Sequence, residues 1–120
     1  MISIIMPVYN SAPFIEEAID SILNQTYKDI ELIIINDGST DNSASIIESY
    51  DDNRIKLINN DSNKGIVYSL NKSISMSSGK YIARMDSDDI ANIDRLKSQL
   101  QYLNLHNLDN LNNSNYEFDN

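Results

Sequence analysis

Short apolar runs alternate with helix-forming segments along most of this chain, and that alternation restricts its fold more than any other feature. Four runs are predicted to be strands, at residues 2–6, 30–35, 54–58 and 80–85. The run at 54–58 alternates apolar with polar residues, which predicts a less buried position. Because parallel strands need helical crossovers between them, the pattern predicts an α/β fold, a three-layer α/β/α sandwich around a mainly parallel sheet.

The inward faces of the four helices are predicted from helical spacing. They comprise Ile15, Ala18, Ile19, Ile22 and Leu23 in the first helix, Ile46, Ile47 and Tyr50 in the second, Val67, Leu70 and Ile74 in the third, and Ile93, Leu96, Leu100 and Leu103 in the last. Asn10 or Ser11 is expected to cap the first helix, and Ser39 or Thr40 the second.

Length and composition limit the class of protein. With 120 residues, 41% of them hydrophobic, the chain suits one domain, which we predict at 1–103. The asparagine-rich stretch 104–120 is predicted to extend the last helix or to fray. No run is long enough to span a bilayer and no secretion signal is evident, so a cytoplasmic location is expected. Cysteine is absent, which excludes thiolate metal sites.

The net charge of −9 argues against nucleic-acid binding, which needs Lys and Arg to neutralise phosphates. An acidic protein can still bind an anionic ligand when a divalent cation lies between them. Three polar clusters follow predicted strands, at Pro7–Asn10, Asn36–Ser39 and Asp86–Asp89. In an open parallel sheet, ligands bind beyond the carboxyl ends of the strands, so these clusters mark the expected site.

The acidic cluster Asp86-Ser87-Asp88-Asp89 carries the strongest chemical signal. Its carboxylates repel one another, and a hard cation such as Mg²⁺ or Mn²⁺ would offset that repulsion. The alternative is a solvated acidic turn that caps the next helix. Taken alone, the run does not decide between the two. Its place at a strand end, together with the other two clusters, favours the metal site.

The other candidate residues are individually ambiguous. Asp37 is suited to accept hydrogen bonds from a nucleobase or ribose, with Gly38 permitting close backbone approach, but an ordinary turn explains both. Tyr9 offers a stacking face or is a half-buried aromatic residue at the sheet edge. Arg84 is suited to neutralise the carboxylates or to meet a phosphate, and structural pairing is the favoured interpretation.

In this order, the segments Ile4–Asn10, Asn36–Asp41 and Gly79–Asp89 resemble family-2 inverting glycosyltransferases of the GT-A fold, and the resemblance covers residues 2–103. It implies a truncated GT-A fold whose 1–103 domain binds a nucleotide sugar, usually a UDP-sugar. It also implies transfer with inversion to a carbohydrate or lipid-linked acceptor in polysaccharide biosynthesis, with Mn²⁺ or Mg²⁺ as cofactor. Peripheral membrane association and a homo-oligomer are left open.

The resemblance also assigns site residues by position. It implies nucleotide-binding roles for Pro7, Tyr9, Asp37, Asp86 and Ser87, and metal-binding roles for Asp86 and Asp88. Tyr9 would flank the base, Asp37 would bond the uracil, and Asp86 would lie against the ribose or a metal-bound water. Asp88 would be the direct metal ligand, and the metal would stabilise the departing diphosphate.

Two departures from the family pattern bear on activity. Many relatives have an Arg where Leu70 precedes Asn71. The family's catalytic base and acceptor pocket come from a C-terminal half that this chain is not expected to contain, so the catalytic residue is unassigned. Asp94 lies near the acidic run, but helix capping is its simpler role.

Three other classes of protein are alternatives to the transferase. A non-catalytic nucleotide-binding remnant or partner subunit would bind the donor without turning it over. A phosphoacceptor receiver domain needs an acidic pair after the first strand, where this chain has Pro7-Val8-Tyr9-Asn10. A dinucleotide-binding domain needs G-x-G-x-x-G after that strand, and the chain has only three glycines.

Overall fold

The structure is a computed structural model that describes residues 1–105 and 116–118. Its elements, in chain order, are β1 (Ile2–Val8), α1 (Ile15–Leu23), β2 (Ile30–Asp37), α2 (Ser43–Glu48), β3 (Ile55–Asn60), α3 (Ile66–Met76), β4 (Tyr81–Arg84), α4 (Arg95–Leu105) and β5 (Tyr116–Phe118). The predicted alternation of strands and helices is confirmed. No helix within the described ranges is both long and apolar enough to cross a membrane.

The strands form one parallel sheet in the order β3-β2-β1-β4-β5. Ile2 is in register with Ile30 on one side and with Tyr81 on the other. The outer strand β5 pairs with β4 and lies in the stretch for which a helical extension or a frayed tail was predicted. The rest of that stretch, 106–115 and 119–120, lies outside the described residues.

The first strand runs through Pro7, where the sequence predicted its end. The carbonyl of Ile5 accepts a hydrogen bond from Met85 N–H at 3.0 Å, so Ile5 faces β4. Pro7, two residues on, faces the same side of the strand. Since β4 has already ended at Arg84, the N–H that proline lacks costs the sheet no ladder hydrogen bond.

The sheet buries both faces, which confirms the three-layer sandwich. Alternate residues of β1 and β2, such as Ile4 and Ile34, pack with α1, α2 and α4 in the larger core. The opposite residues, including Ile5 and Ile33, form a smaller core beneath α3. The α1 face is as predicted, with four buried residues, Ile15, Ala18, Ile19 and Ile22, and with Leu23 partly buried.

The predicted inward face of α3 is wrong for two of its three residues, since only Leu70 packs against the smaller core. Val67 and Ile74 are 69% and 36% exposed, and the buried residues of the helix are Ser69 and Ser73. Small side chains let a helix approach a sheet closely, and Ser69 Oγ also accepts a hydrogen bond from Asn60 Nδ2 at 3.4 Å. The contact with the sheet therefore uses a serine face, which apolar periodicity does not detect.

The last helix also departs from its predicted stripe. Leu96 and Leu103 are buried and Leu100 is half-buried, as predicted. Ile93 is 56% exposed and precedes the helix, which begins at Arg95. The carbonyl of Ile93 instead accepts a hydrogen bond from Thr26 N–H at 2.9 Å, which holds the segment outside the helix.

The predicted N-caps are wrong as well. Phe14 precedes α1 and Asn42 precedes α2, and neither side chain caps its helix. The backbone carbonyl of Ser11 accepts hydrogen bonds from the N–H groups of Phe14 and Ile15, at 2.8 and 2.9 Å. The side chain of Asn10 reaches instead into the loop after β2, so it connects two loops rather than ending a helix.

Candidate functional site

A cleft of about 550 Å³ opens at the carboxyl ends of β1, β2 and β4. All six residues with predicted nucleotide or metal roles line it, namely Pro7, Tyr9, Asp37, Asp86, Ser87 and Asp88. The remaining lining residues are Val8, Asn10, Ser11, Phe14, Asn63, Gly65, Ile66 and Ser69. The structure thus brings together side chains that the sequence separates into three clusters.

Asp37 lies buried at the end of β2 and accepts hydrogen bonds from three donors. They are Lys64 N–H at 2.7 Å, Asn60 Nδ2 at 2.9 Å and Gly65 N–H at 3.0 Å. Burial alone would raise the pKa of Asp37, but these donors and the Lys64 charge outweigh it, so the pKa is lowered. Asp37 is therefore an anionic acceptor, and a carboxylate with about four acceptor positions has one left for a ligand.

Gly38 permits a close approach, but the approaching group is the chain's own backbone. A Cβ added there would lie 2.6 Å from Asn63 N and from Ser62 C. Its φ of +71° is also a conformation that side chains disfavour. The glycine lets the loop after β3 pack against the end of β2, which is how Lys64 and Gly65 reach Asp37.

Asn10 joins the loop after β1 to the loop after β2. With a φ of +51°, it directs its side-chain oxygen toward Thr40 N–H at 2.8 Å and Asp41 N–H at 3.3 Å. Its own N–H donates to Ser39 Oγ at 3.0 Å. This connection fixes the backbone beside Tyr9, a residue that is 49% exposed and lines the cleft.

The acidic run forms a turn just beyond β4. Asp89 N–H donates to the Asp86 carbonyl at 3.2 Å, and carboxylate oxygens of Asp86, Asp88 and Asp89 lie within 4.8 Å of one another. Ligand oxygens around Mg²⁺ lie about 3–4 Å apart, as bonds of about 2.1 Å dictate. Small side-chain rotations would meet that spacing, and the exposed carboxylates leave room for water and phosphate. The donor set therefore fits a hard divalent cation.

Two arginines lie behind this run. Arg84 Nη2 is 3.4 Å from Asp86 Oδ1, consistent with the favoured pairing role. Arg95 Nη2 donates to the Arg84 carbonyl at 3.0 Å. Burial lowers the pKa of Arg95 while the charge of Asp89 opposes that shift, and the guanidinium stays charged. These cations reduce the repulsion among the carboxylates.

The sequence did not predict one wall of the cleft, and Asp94 lies outside the cleft. Phe14 and Ile66 are 55% and 46% exposed and face the cleft with Asn63. No local pattern distinguishes such residues from core residues, although Gly65 before a helix signals an unusual backbone, here a φ of +91°. Asp94 accepts a hydrogen bond from Thr26 Oγ1 at 2.8 Å and does not line the cleft.

Comparison with known sequences returns a family and close relatives. The sequence model described as Glycosyl transferase family 2 matches residues 3–117. An uncharacterized glycosyltransferase of Haemophilus influenzae is 47% identical over 105 residues, which make up 86% of this chain and 32% of that protein.

Solved structures also have folds similar to that of this chain. The S. aureus protein TarS in complex with UDP-GlcNAc superposes with a TM-score of 0.82 at 29% identity, over 88% of this chain and 32% of that one. The mannosyltransferase PcManGT from Pyrobaculum calidifontis, in complex with GDP-Man and Mn²⁺, superposes with a TM-score of 0.79 at 28% identity. The match covers 85% of this chain and 32% of that one. This chain therefore spans about one third of the length of each of these relatives.

Proposed function

The chain belongs to glycosyl transferase family 2, and from that premise we propose that its cleft binds a UDP-sugar together with Mn²⁺ or Mg²⁺. The bound sugar would be the donor for an inverting transfer to a carbohydrate or lipid-linked acceptor. One observation carries the proposal: Tyr9 and Asp37 share a single cleft with the carboxylates of Asp86 and Asp88. The complexes of TarS with UDP-GlcNAc and of PcManGT with GDP-Man and Mn²⁺ support it by similarity.

Asp37 would select the nucleobase of the donor. As an anionic acceptor it matches the N3–H of uracil, whereas cytosine presents an unprotonated nitrogen at that position and would be repelled. The exposed ring of Tyr9 would flank the base, with Pro7 in the wall beside it. The three hydrogen bonds to Asp37 hold its carboxylate in place before the ligand arrives.

The metal side would lie at Asp88 and Asp86, with Asp86 also close to the ribose. A divalent ion there would neutralise charge on the diphosphate leaving group. Arg84 would keep Asp86 oriented through the pairing at 3.4 Å. Ser87 would contact the nucleotide from the wall of the cleft, between the two carboxylates.

A second candidate, nucleotide binding without transfer, is favoured by the composition of the cleft. In the described part of the chain, the carboxylates that line it are those of Asp37, Asp86 and Asp88, and all three have donor-side roles. None is left to deprotonate an acceptor hydroxyl, so the catalytic base stays unassigned. Release of UDP from a UDP-sugar by the purified chain with Mn²⁺ would favour the transferase, and binding without release would favour a remnant or partner subunit.

Three further predictions from the sequence stay predictions. They are the cytoplasmic location, the peripheral membrane association and the homo-oligomer. Vesicle flotation and light scattering on the purified chain would test the last two.

The proposed contact between Asp37 and uracil is tested by comparing the affinities of UDP and CDP in the presence of Mn²⁺. We expect UDP to bind at least ~10-fold more tightly, because CDP would leave the Asp37 carboxylate facing another acceptor. Asp37→Asn should weaken UDP binding ~10-fold or more. It should also reduce the ratio of UDP affinity to CDP affinity, since an amide can donate to cytosine N3.

The control is Asp61→Asn, which removes the same charge from a side chain that is 88% exposed on the neighbouring loop. It should leave the ratio unchanged. The ratio is the readout because the loss of hydrogen bonds within the protein affects both ligands alike. Equal affinities for UDP and CDP in the unmodified chain, or a ratio unchanged by Asp37→Asn, would contradict the assignment.

A further inference from the structure

We propose that the hydroxyl pair formed by Ser11 and Ser87 positions the acidic run against the nucleotide-binding segment, so that it couples metal binding to nucleotide binding. The two hydroxyl oxygens are hydrogen-bonded across 76 residues of sequence. This inference rests on the proposed function, in which Ser11 has no role and Ser87 contacts the nucleotide. It reassigns Ser87 from ligand contact to positioning.

On one side of the pair, Ser87 turns inward while its neighbours turn outward. Its exposure is 9%, whereas Asp88 is exposed and the Asp86 side chain is half-exposed. A serine between two carboxylates thus contributes its hydroxyl to the protein interior. The turn that carries the carboxylates is held by the Ser87 side chain from beneath.

On the other side, Ser11 is fixed in several directions. Its N–H donates to Ser43 Oγ at 3.0 Å, and its carbonyl accepts the first N–H groups of α1. Ser43 in turn donates its hydroxyl to Asp41 Oδ1 at 2.6 Å. Ser11 therefore contacts the segment that begins α1 and the first residue of α2, and these contacts fix the point to which the acidic turn is attached.

One arrangement of the hydroxyl protons satisfies both contacts of Ser11. Ser11 Oγ lies 3.4 Å from the carbonyl of Tyr9, which can only accept. If Ser11 donates to that carbonyl, Ser87 must donate to Ser11, and each hydroxyl uses its single proton once. In this arrangement, a series of hydrogen bonds runs from Ser87 through Ser11 to the backbone of Tyr9, the residue proposed to flank the nucleobase.

The hydrogen-bonded series from Ser87 to Tyr9 predicts a specific energetic effect. Metal at the acidic run and nucleotide at Tyr9 enhance each other's binding, and by linkage the two enhancements are equal. One buried hydrogen bond supports about a five-fold change in an equilibrium constant. Removing the Ser11 hydroxyl should therefore reduce the enhancement of UDP affinity by Mn²⁺ about five-fold while leaving metal-free UDP affinity nearly unchanged, and removing the Ser87 hydroxyl should reduce that enhancement by the same factor.

The experiment measures UDP affinity by calorimetry on the full chain, with saturating Mn²⁺ and with a chelator, for Ser11→Ala, Ser87→Ala and the double variant. The control is Ser45→Ala, an exposed position of α2 with no side-chain hydrogen bond among those described. Thermal unfolding of each variant is measured in parallel. In the double variant, the loss of enhancement should match that of either single variant, because the hydroxyls act as a pair.

The outcomes separate the possibilities. A reduced enhancement with similar metal-free affinity supports the positioning role. Unchanged enhancement in Ser87→Ala, or a loss of both affinities in proportion to a lower unfolding temperature, overturns it and indicates a purely structural pair. If the unmodified chain shows no enhancement by Mn²⁺, the proposed metal-assisted donor binding fails and the inference fails with it.

Discussion

Replacing Gly38 by alanine tests the packing that holds Asp37 in place. The added Cβ would lie 2.6 Å from Asn63 N and from Ser62 C, and 3.1 Å from Ser62 Cα. All of these atoms are backbone, so no side-chain rotation relieves the contact, and the loop after β3 must move. Because Lys64 N–H and Gly65 N–H bond Asp37 from that loop, the variant should disturb the site as well as the fold.

The size of the effect can be estimated from two contributions. The φ of +71° costs a non-glycine residue about 1–2 kcal/mol. Overpacking against backbone adds about 1–3 kcal/mol. Gly38→Ala should therefore lower the free energy of unfolding by about 2–5 kcal/mol, a large part of the 5–15 kcal/mol typical of a domain.

Gly65→Ala is the matched control, because Gly65 has a φ of +91° but nothing within 4 Å of the added Cβ. It should show the conformational cost alone, about 1–3 kcal/mol. Urea unfolding followed by circular dichroism measures both variants, and calorimetry measures their UDP affinity. A Gly38→Ala chain as stable as Gly65→Ala, with unchanged UDP affinity, would refute the argument from close packing.

Two further predictions concern pH and the core. Burial alone would raise the pKa of Glu31, but hydrogen bonds from Lys56, Ser3 and Ser78 outweigh it, so the folded-state pKa is lowered. The resulting stabilisation is present above the unfolded pKa, about 4.3, and is lost as the pH falls through the lower folded value. Glu31→Gln should therefore be less stable at pH 7 yet lose less stability between pH 7 and pH 3, as urea midpoints at both pH values would show; an equal loss in both chains would contradict this. Leu96→Ala should cost about 2–5 kcal/mol, because Leu96 is fully buried, whereas Ile93→Ala should change stability by less than about 0.5 kcal/mol at its 56% exposure. Similar losses in both would show that Ile93 packs in the core, as the sequence pattern suggested.

Local patterns in the sequence predicted the alternation of β1 to β4 with α1 to α4 and the end of the sheet at which the candidate residues lie, but they did not predict β5. Strand runs and helical spacing are periodic features of neighbouring residues, so they predicted the order of elements and the three layers. The rule that ligands bind at the carboxyl ends of parallel strands then placed Tyr9, Asp37 and Asp88 together, and the structure brings them into one cleft.

Features that depend on distant contacts were not predictable in the same way. The outward position of Val67 follows from the close packing of Ser69 and Ser73 on the sheet, where apolar spacing favoured the opposite face. The partners of Asp37 lie 23 to 28 residues along the chain, and no local motif connects them. The same holds for the pairing of Ser11 with Ser87, which only the folded sheet brings together.

The most direct test of the central claim is a calorimetric titration of UDP with and without Mn²⁺, repeated on Asp88→Ala. Asp51→Ala is the control, since it removes the same charge at an exposed position in the turn before β3. We predict that Mn²⁺ strengthens UDP binding, that Asp88→Ala weakens metal-dependent binding ~10-fold or more, and that Asp51→Ala retains it. UDP binding that is independent of metal, or unchanged by Asp88→Ala, would contradict the proposed site.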